Sequence, residues 1–352
     1  MLNEISENNF INSLISGFKR SPMQINKVHE SDAEIIKISG DSSTYLAVTT
    51  DSIVEEIKSG LYDNPYLIGW MSVIVNVSDL AAVGARPIGI LLSQVIPSDY
   101  RPEELKNLQM GIKDACRICR TFILGGDTNM GDNLIITGTA VGILENKKFI
   151  SRIGCQTDDI IYSTNYLGRG NAFAISRFFN RGNFNFEFLP QSGINYCRLI
   201  KDYASACMDT SDGAISTLDQ LMRLNNIGFK IDDDWENIID KESLELADSS
   251  SIPAWLLLAG YHGEFELIFS IPKNSEDEFL FSAKKINWHP LKIGQVIEDV
   301  KIKIPVYGKE TDIDSCRIRN LVRNLDKGVD IYLKSLLAID DEIKKNKNYI
   351  GY

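Results

Sequence analysis

Five Asp-bearing stretches, well separated along the chain, carry the residue types best suited to chemistry. They are Gly40-Asp41, Thr49-Thr50-Asp51, Asn76-Val77-Ser78-Asp79, Gly125-Gly126-Asp127-Thr128 and Asp209-Thr210-Ser211-Asp212-Gly213. Each Asp sits with Gly, Ser or Thr at an expected element boundary, and carboxylates at the ends of strands and helices can converge from distant parts of a chain. Gathered in a low-dielectric cleft, they repel one another unless cations hold them together. Oxygen-only ligand sets select Mg²⁺ or Ca²⁺ over softer metals, and Mg²⁺ keeps coordination sites for water and phosphate oxygens. The chemistry expected is that of a Mg²⁺–nucleotide site. Taken singly, an Asp beside Gly is a turn residue or a helix cap, so the metal reading rests on the joint pattern.

Other chemistries find less support. The chain has no Gly-x-x-x-x-Gly-Lys-Ser/Thr loop, no Gly-x-Ser-x-Gly elbow and no protein-kinase motif set. Gly168-Arg169-Gly170 lacks the third glycine of a dinucleotide loop and reads as a helix start. Cys116-x-x-Cys119 has no second pair, and the three histidines, His29, His262 and His289, show no ligand spacing, so zinc is not expected. Arg152, in Ile150-Ser151-Arg152-Ile153-Gly154, is a candidate cation for a nucleotide phosphate. A surface arginine in a charged stretch is the alternative that spacing leaves open.

These residues need a scaffold, and size and composition bound it. A chain of 352 residues fits two domains, and 44% hydrophobic with 24% charged residues matches a globular protein. A net charge of −11 argues against nucleic acid or an anionic membrane as partner, though bound Mg²⁺ can reverse the local field for a phosphate. No uninterrupted apolar run reaches the length of a membrane span, and the N-terminus has no signal-peptide pattern. Six scattered cysteines suit reduced thiols in a cytoplasm.

Periodicity predicts an amphipathic segment over 10–18, strands over 34–38 and 44–49, and a helix over 67–83 with Trp70, Ile74, Val77 and Leu80 at spacings of three and four. A strand over 88–96, a helix over 103–120, a short strand over 121–124 ending at the glycine pair and a strand over 134–144 follow. The polar stretch 145–159 marks a boundary near residue 155, dividing the chain into 1–155 and 156–352. The second block reads as strands over 160–163, 229–231, 266–271, 291–297 and 300–305, with helices over 172–178, 196–206, 214–224 and 329–345. Mixed strands and helices in both halves give an α/β or α+β class.

At this point the residues resemble a family. Thr49-Thr50-Asp51-Ser52-Ile53-Val54, Asn76-Val77-Ser78-Asp79-Leu80-Ala81-Ala82-Val83-Gly84-Ala85, Gly125-Gly126-Asp127-Thr128 and Asp209-Thr210-Ser211-Asp212-Gly213 match, in order and spacing, the thiamine-monophosphate kinases. These belong to the superfamily of aminoimidazole ribonucleotide (AIR) synthetase and selenophosphate synthetase. Glu264-Phe265-Glu266-Leu267 is similar to the family's later acidic-aromatic-Glu-Leu segment, and the resemblance covers roughly residues 33–300.

The resemblance implies a two-domain AIR synthetase-like fold whose N-terminal domains share a β-barrel in a homodimer. It implies ATP and several Mg²⁺ in a cleft between the domains. Thr50, Asp51, Asp79, Asp127 and Asp209 would be metal ligands, with Thr49, Asp212 and Asp41 added; Gly126, Arg152 and Ser211 would touch nucleotide, and Glu264 the substrate. The reaction implied is transfer of the γ-phosphoryl group of ATP to thiamine monophosphate, a small-molecule acceptor in thiamine biosynthesis. Two departures stand out. Asp41 is followed by Ser42 where the family has a second Asp, and Glu56-Ile57-Lys58-Ser59 stands where the family has Gly-x-His-Phe on the substrate side. A second reading is therefore another ATP-dependent enzyme of the superfamily acting on a different acceptor, such as an amide, carboxylate or phosphate. A third is a nucleotide-binding protein without turnover.

Overall fold

The computed structural model describes residues 2–38, 43–146, 148–179 and 186–348. The first half runs α1 (Ser6–Ile15), β1 (Glu34–Lys37), β2 (Tyr45–Ser52), α2 (Val54–Ser59), α3 (Pro65–Ala82), β3 (Arg86–Pro97), α4 (Pro102–Ile118), β4 (Ile123–Gly131) and β5 (Ile135–Leu144). The second runs β6 (Ile160–Ser163), α5 (Arg169–Phe179), α6 (Cys197–Tyr203), β7 (Ala206–Asp209), α7 (Ala214–Asn225), β8 (Gly228–Ile231), α8 (Lys241–Ser249) and α9 (Leu256–Ala259). It closes with β9 (Leu267–Ile271), α10 (Glu276–Lys285), β10 (Leu291–Ile297), β11 (Ile302–Val306), β12 (Lys309–Ile313), α11 (Ser315–Asn320) and α12 (Val329–Asn348).

Two sheets result. The first has the order β1-β2-β5-β3-β4 and the second β12-β11-β8-β10-β6-β9-β7. Among the described residues only β3 and β4 run parallel in the first sheet, and only β8 and β11 in the second. Among the described residues the first sheet stays open, with β1 and β4 at its edges, so one chain alone closes no barrel.

The central helix of the first half is α3. Asn64 caps it by accepting from the Tyr66 amide at 2.9 Å, and Pro65 supplies a preset first turn. It is long and apolar enough to cross a membrane by composition, yet 78% of that stretch is buried in the fold, which marks it as a core helix. It lies on β2 and β5, crosses α4 and reaches β7 of the second half, which is why it is buried nearly all round. The crossing with α4 is tight because both helices carry glycine there. A Cβ on Gly69 would stand 2.0 Å from the Leu108 carbonyl oxygen, and one on Gly111 2.0 Å from that of Tyr66.

Most expected elements form, with ends shifted by a few residues. The strand expected over 121–124 differs: β4 continues through Gly125, Gly126 and Asp127 to Gly131. The glycine pair extends the strand because Gly126 lies against the Leu92 carbonyl, where a Cβ would sit 1.8 Å away, allowing β4 to pair in parallel with β3.

Candidate active site

Three carboxylates from distant segments converge at the ends of these elements. Asp79 is in the last turn of α3, Asp209 ends β7 and Asp32 precedes β1, and one oxygen from each lies within 4.8 Å of the others. β2 delivers Thr49, Thr50 and Asp51 beside them, and the turn after β7 delivers Ser211 and Asp212. All of these, with Arg152, line one cavity of about 410 Å³.

Hydrogen bonds fix several of the ligand candidates. Thr49 donates to Asp79, and Ser78 and Ser211 donate to the two oxygens of Asp209 at 2.7 and 3.0 Å. The Asn76 side chain accepts from the Asp51 amide at 3.1 Å and donates to the Ser72 carbonyl at 3.1 Å, tying β2 to α3. Arg152 closes a two-pronged contact on Asp32, at 2.8 and 3.2 Å. That geometry is the strong form of an arginine–carboxylate pair.

Burial and crowding act together on the acids. Burial pushes Asp51 up to about 6, with Asp32 adding to the rise and the Asp79 hydrogen bond opposing it. Burial, then the charges of Asp51, Asp209 and Asp32, holds Asp79 well above the usual carboxylate range. Asp209 rises to about 7 and Asp212 to about 8, both chiefly through burial. A cluster of oxygen donors that resists shedding its protons suits a hard divalent cation, whose charge would reverse that resistance. The donor set fits Mg²⁺.

Of the residues expected from sequence, Thr49, Thr50, Asp51, Asp79, Arg152, Asp209, Ser211 and Asp212 share the cleft. Gly126 and Asp127 do not. Gly126 lines a separate cavity of about 750 Å³ between β3, β4 and α4, and Asp127 is exposed, accepting from Asn129 at 2.6 Å. Across the sheet, Ser52, Thr137, Ser93 and Asp127 stand in one row, so three strand spacings, roughly 14 Å, separate Asp127 from the end of β2. Glu264 is buried with its carboxylate accepting from the amides of Gly168 and Gly170 at 2.8 and 3.3 Å, at the start of α5. Asp41 lies outside the described residues.

Sequence reasoning missed Asp32. The available signal was Ser31-Asp32-Ala33 directly before the strand that pairs with β2, in register Glu34 to Val48. It also missed that Glu56, in α2, reaches the cleft while Lys58 is exposed. One Glu56 oxygen is buried without a hydrogen-bond partner among the described residues.

Fold and site together define an AIR synthase-related protein: residues 30–144 match the AIR synthase related protein, N-terminal domain. Over 301 residues the chain is 31% identical to the thiamine-monophosphate kinase of Methanocaldococcus jannaschii, covering 80% of this chain and 90% of that one. The chain belongs to the thiamine-monophosphate kinase family. Its fold is also similar to AaThiL complexed with AMPPCP and TMP, with TM-score 0.69 and 21% identity, covering 89% of this chain and 98% of that one. The fold of a chain in the HypE–HypF complex is similar as well, with TM-score 0.70 and 18% identity, covering 87% and 98%.

Proposed function

We propose that this protein transfers the γ-phosphoryl group of ATP to thiamine monophosphate, giving thiamine diphosphate and ADP in a Mg²⁺-dependent reaction. The convergence of Asp32, Asp79 and Asp209 carries this reading, supported by a family relative at 31% identity over most of both chains. Asp32, Asp51, Asp79, Asp209 and Asp212, with Thr49 and Thr50, would hold the metal ions. Bound there, Mg²⁺ supplies charge neutralisation to the transferring group. The acceptor is already a phosphate oxyanion, so the protein need only position it and exclude water. Thr49 and Ser78 hold the Asp79 and Asp209 side chains in place beforehand, Asn76 holds the Asp51 backbone, and Arg152 orients Asp32.

The active form in this reading is a homodimer of chains with units 1–155 and 156–352. Edge strand β4 is exposed along nearly all its length, with Met130 on it and Phe122 just before it each 69% exposed, a surface that strand pairing between copies would cover. Such a dimer gives Gly126 and Asp127 a role they lack in one chain: Asp127 of the partner subunit would complete the metal site. The partly apolar cavity beside Gly126 is large enough for a purine base. Six free cysteines, five of them buried, suit a cytoplasmic setting.

Incubation with Mg²⁺–ATP and thiamine monophosphate, resolving ADP and thiamine diphosphate by chromatography, tests the function. Equal amounts of the two products are expected. ADP without thiamine diphosphate would favour the second reading, a superfamily enzyme with another acceptor, which the exposed Lys58 and the cleft-lining Glu56 of α2 support.

A further inference from the structure

The cleft that gathers the acids also carries two arginines in its wall, and only one of them serves the carboxylate cluster. Its lining includes seven carboxylates, those of Glu7, Asp32, Asp51, Glu56, Asp79, Asp209 and Asp212, against Arg152 and Arg319. Arg152 is committed to Asp32. Arg319, on α11 and outside the residues matched by the family's N-terminal domain, is held differently.

One end of the Arg319 guanidinium is built in. Its Nη1 donates to Gln220 at 2.7 Å and to Asp219 at 3.2 Å. Asp219 is fully buried and also accepts from Arg223 at 2.7 Å and Ser315 at 2.6 Å, so this side is rigid. The other end meets a replaceable partner. Nη2 donates at 3.1 Å to Glu7 of α1, whose side chain is 54% exposed while that of Arg319 is 7% exposed. Among the described residues the Arg319 Nε–H has no hydrogen-bond partner. Tyr261 and Phe265 line the same cleft. The charges of Glu7 and Arg319 both act on Asp212, the first adding to the rise that burial causes and the second opposing it, so the pair borders the acidic end of the cleft.

We propose that Arg319 binds the phosphate group of the acceptor, a phosphate-monoester dianion, and that the Glu7 carboxylate occupies this anion position until the acceptor arrives. The assignment rests on the kinase reading. A guanidinium fork suits a phosphate as well as a carboxylate, and a dianion outcompetes the single charge of a half-exposed Glu. The Asp cluster would hold the metal ions that neutralise the nucleotide, and Arg319 would neutralise the acceptor.

The test uses the full chain with Arg319→Lys and Glu7→Ala. Calorimetric titration with inorganic phosphate is read beside KM for thiamine monophosphate and KM for ATP. Glu7→Ala, which vacates the anion position, is expected to tighten phosphate binding and lower the acceptor KM by about 3- to 10-fold, while Arg319→Lys weakens both by about 10-fold or more. KM for ATP should stay within about 2-fold in both variants. Unchanged phosphate affinity in Glu7→Ala, no measurable phosphate binding by the wild type, or an equal rise of both KM values in Arg319→Lys overturns the assignment. Should the wild type form no thiamine diphosphate, the kinase reading fails separately, and the phosphate titrations still decide the role of Arg319.

Discussion

The Ser78 hydroxyl donates a 2.7 Å hydrogen bond to Asp209, joining residues 131 apart in sequence. Ser78 belongs to the helix that underlies the first sheet and Asp209 to an edge strand of the second. The carboxylates proposed to bind metal are thus tied across the two halves of the chain by a side chain that need not touch metal itself.

Replacing Asp79 or Asp209 with Asn should remove most of the turnover, by roughly 10²-fold or more, because each neutral amide leaves a bound cation short of one charge. The same substitutions relieve carboxylate repulsion, so melting temperature without Mg²⁺ should hold or rise. A steady-state assay and a thermal melt on each variant check both halves, and undiminished turnover would refute the metal-site assignment.

Stability without divalent metal should fall as pH rises. Asp51, Asp209 and Asp212 have folded-state values raised to about 6, 7 and 8, above their unfolded values. Between roughly pH 4 and 8 the folded state therefore binds more protons than the unfolded one, so this contribution is whole below pH 4 and is lost through pH 6–8. Mg²⁺ needs the ionised acids, so its stabilisation should be larger at pH 8 than at pH 5.5, with protons released on binding. Melts at both pH values, with and without Mg²⁺, read the sign; a Mg²⁺ effect that is larger at pH 5.5 contradicts it.

If the active site is shared between two copies, Asp79→Asn and Asp127→Asn should complement each other. Each variant alone would be inactive. After unfolding and refolding of an equal mixture, half the dimers would be mixed and each would carry one intact site, giving about one quarter of wild-type activity. No recovery in a mixture shown to contain mixed dimers would place Asp127 outside the site.

Gly69→Ala should destabilise the fold by about 3 kcal/mol, since its methyl would collide with the Leu108 carbonyl and force α3 and α4 apart. Chemical denaturation measures this directly. A change below about 0.5 kcal/mol, ordinary for a surface position, would show that the crossing is not tight.

Much of the site was legible because its residues announce themselves locally. Asp79 and Asp209 each stand with hydroxyl or glycine neighbours where an apolar run ends, and both reach the cleft. Asp32 follows Ser31 but stands before a strand rather than at the end of an apolar run, so the weight of that signal depends on the pairing of β1 with β2, a long-range fact. The glycine pair of β4 reads as punctuation because close approach to Leu92 lies in a neighbouring strand. Short or polar elements escaped for a similar reason. Helix α8 is mostly polar, and β12, Lys309–Ile313, exists by pairing with β11 rather than by apolar alternation. Arg319 gave no local sign of its position, since its neighbours in the cleft come from α1 and α7.

The glycine contact between α3 and α4 has a mechanical meaning for chemistry at the far end of the helix. Gly69 and Asp79 are ten residues apart, which makes α3 a stiff lever of about 15 Å. A tilt of only about 2° at the fulcrum would swing Asp79 by roughly half an ångström, comparable to the tolerance of a metal-bound reaction centre. Two missing methyl groups, remote from any phosphate, thus set how steadily the protein can aim one oxygen atom.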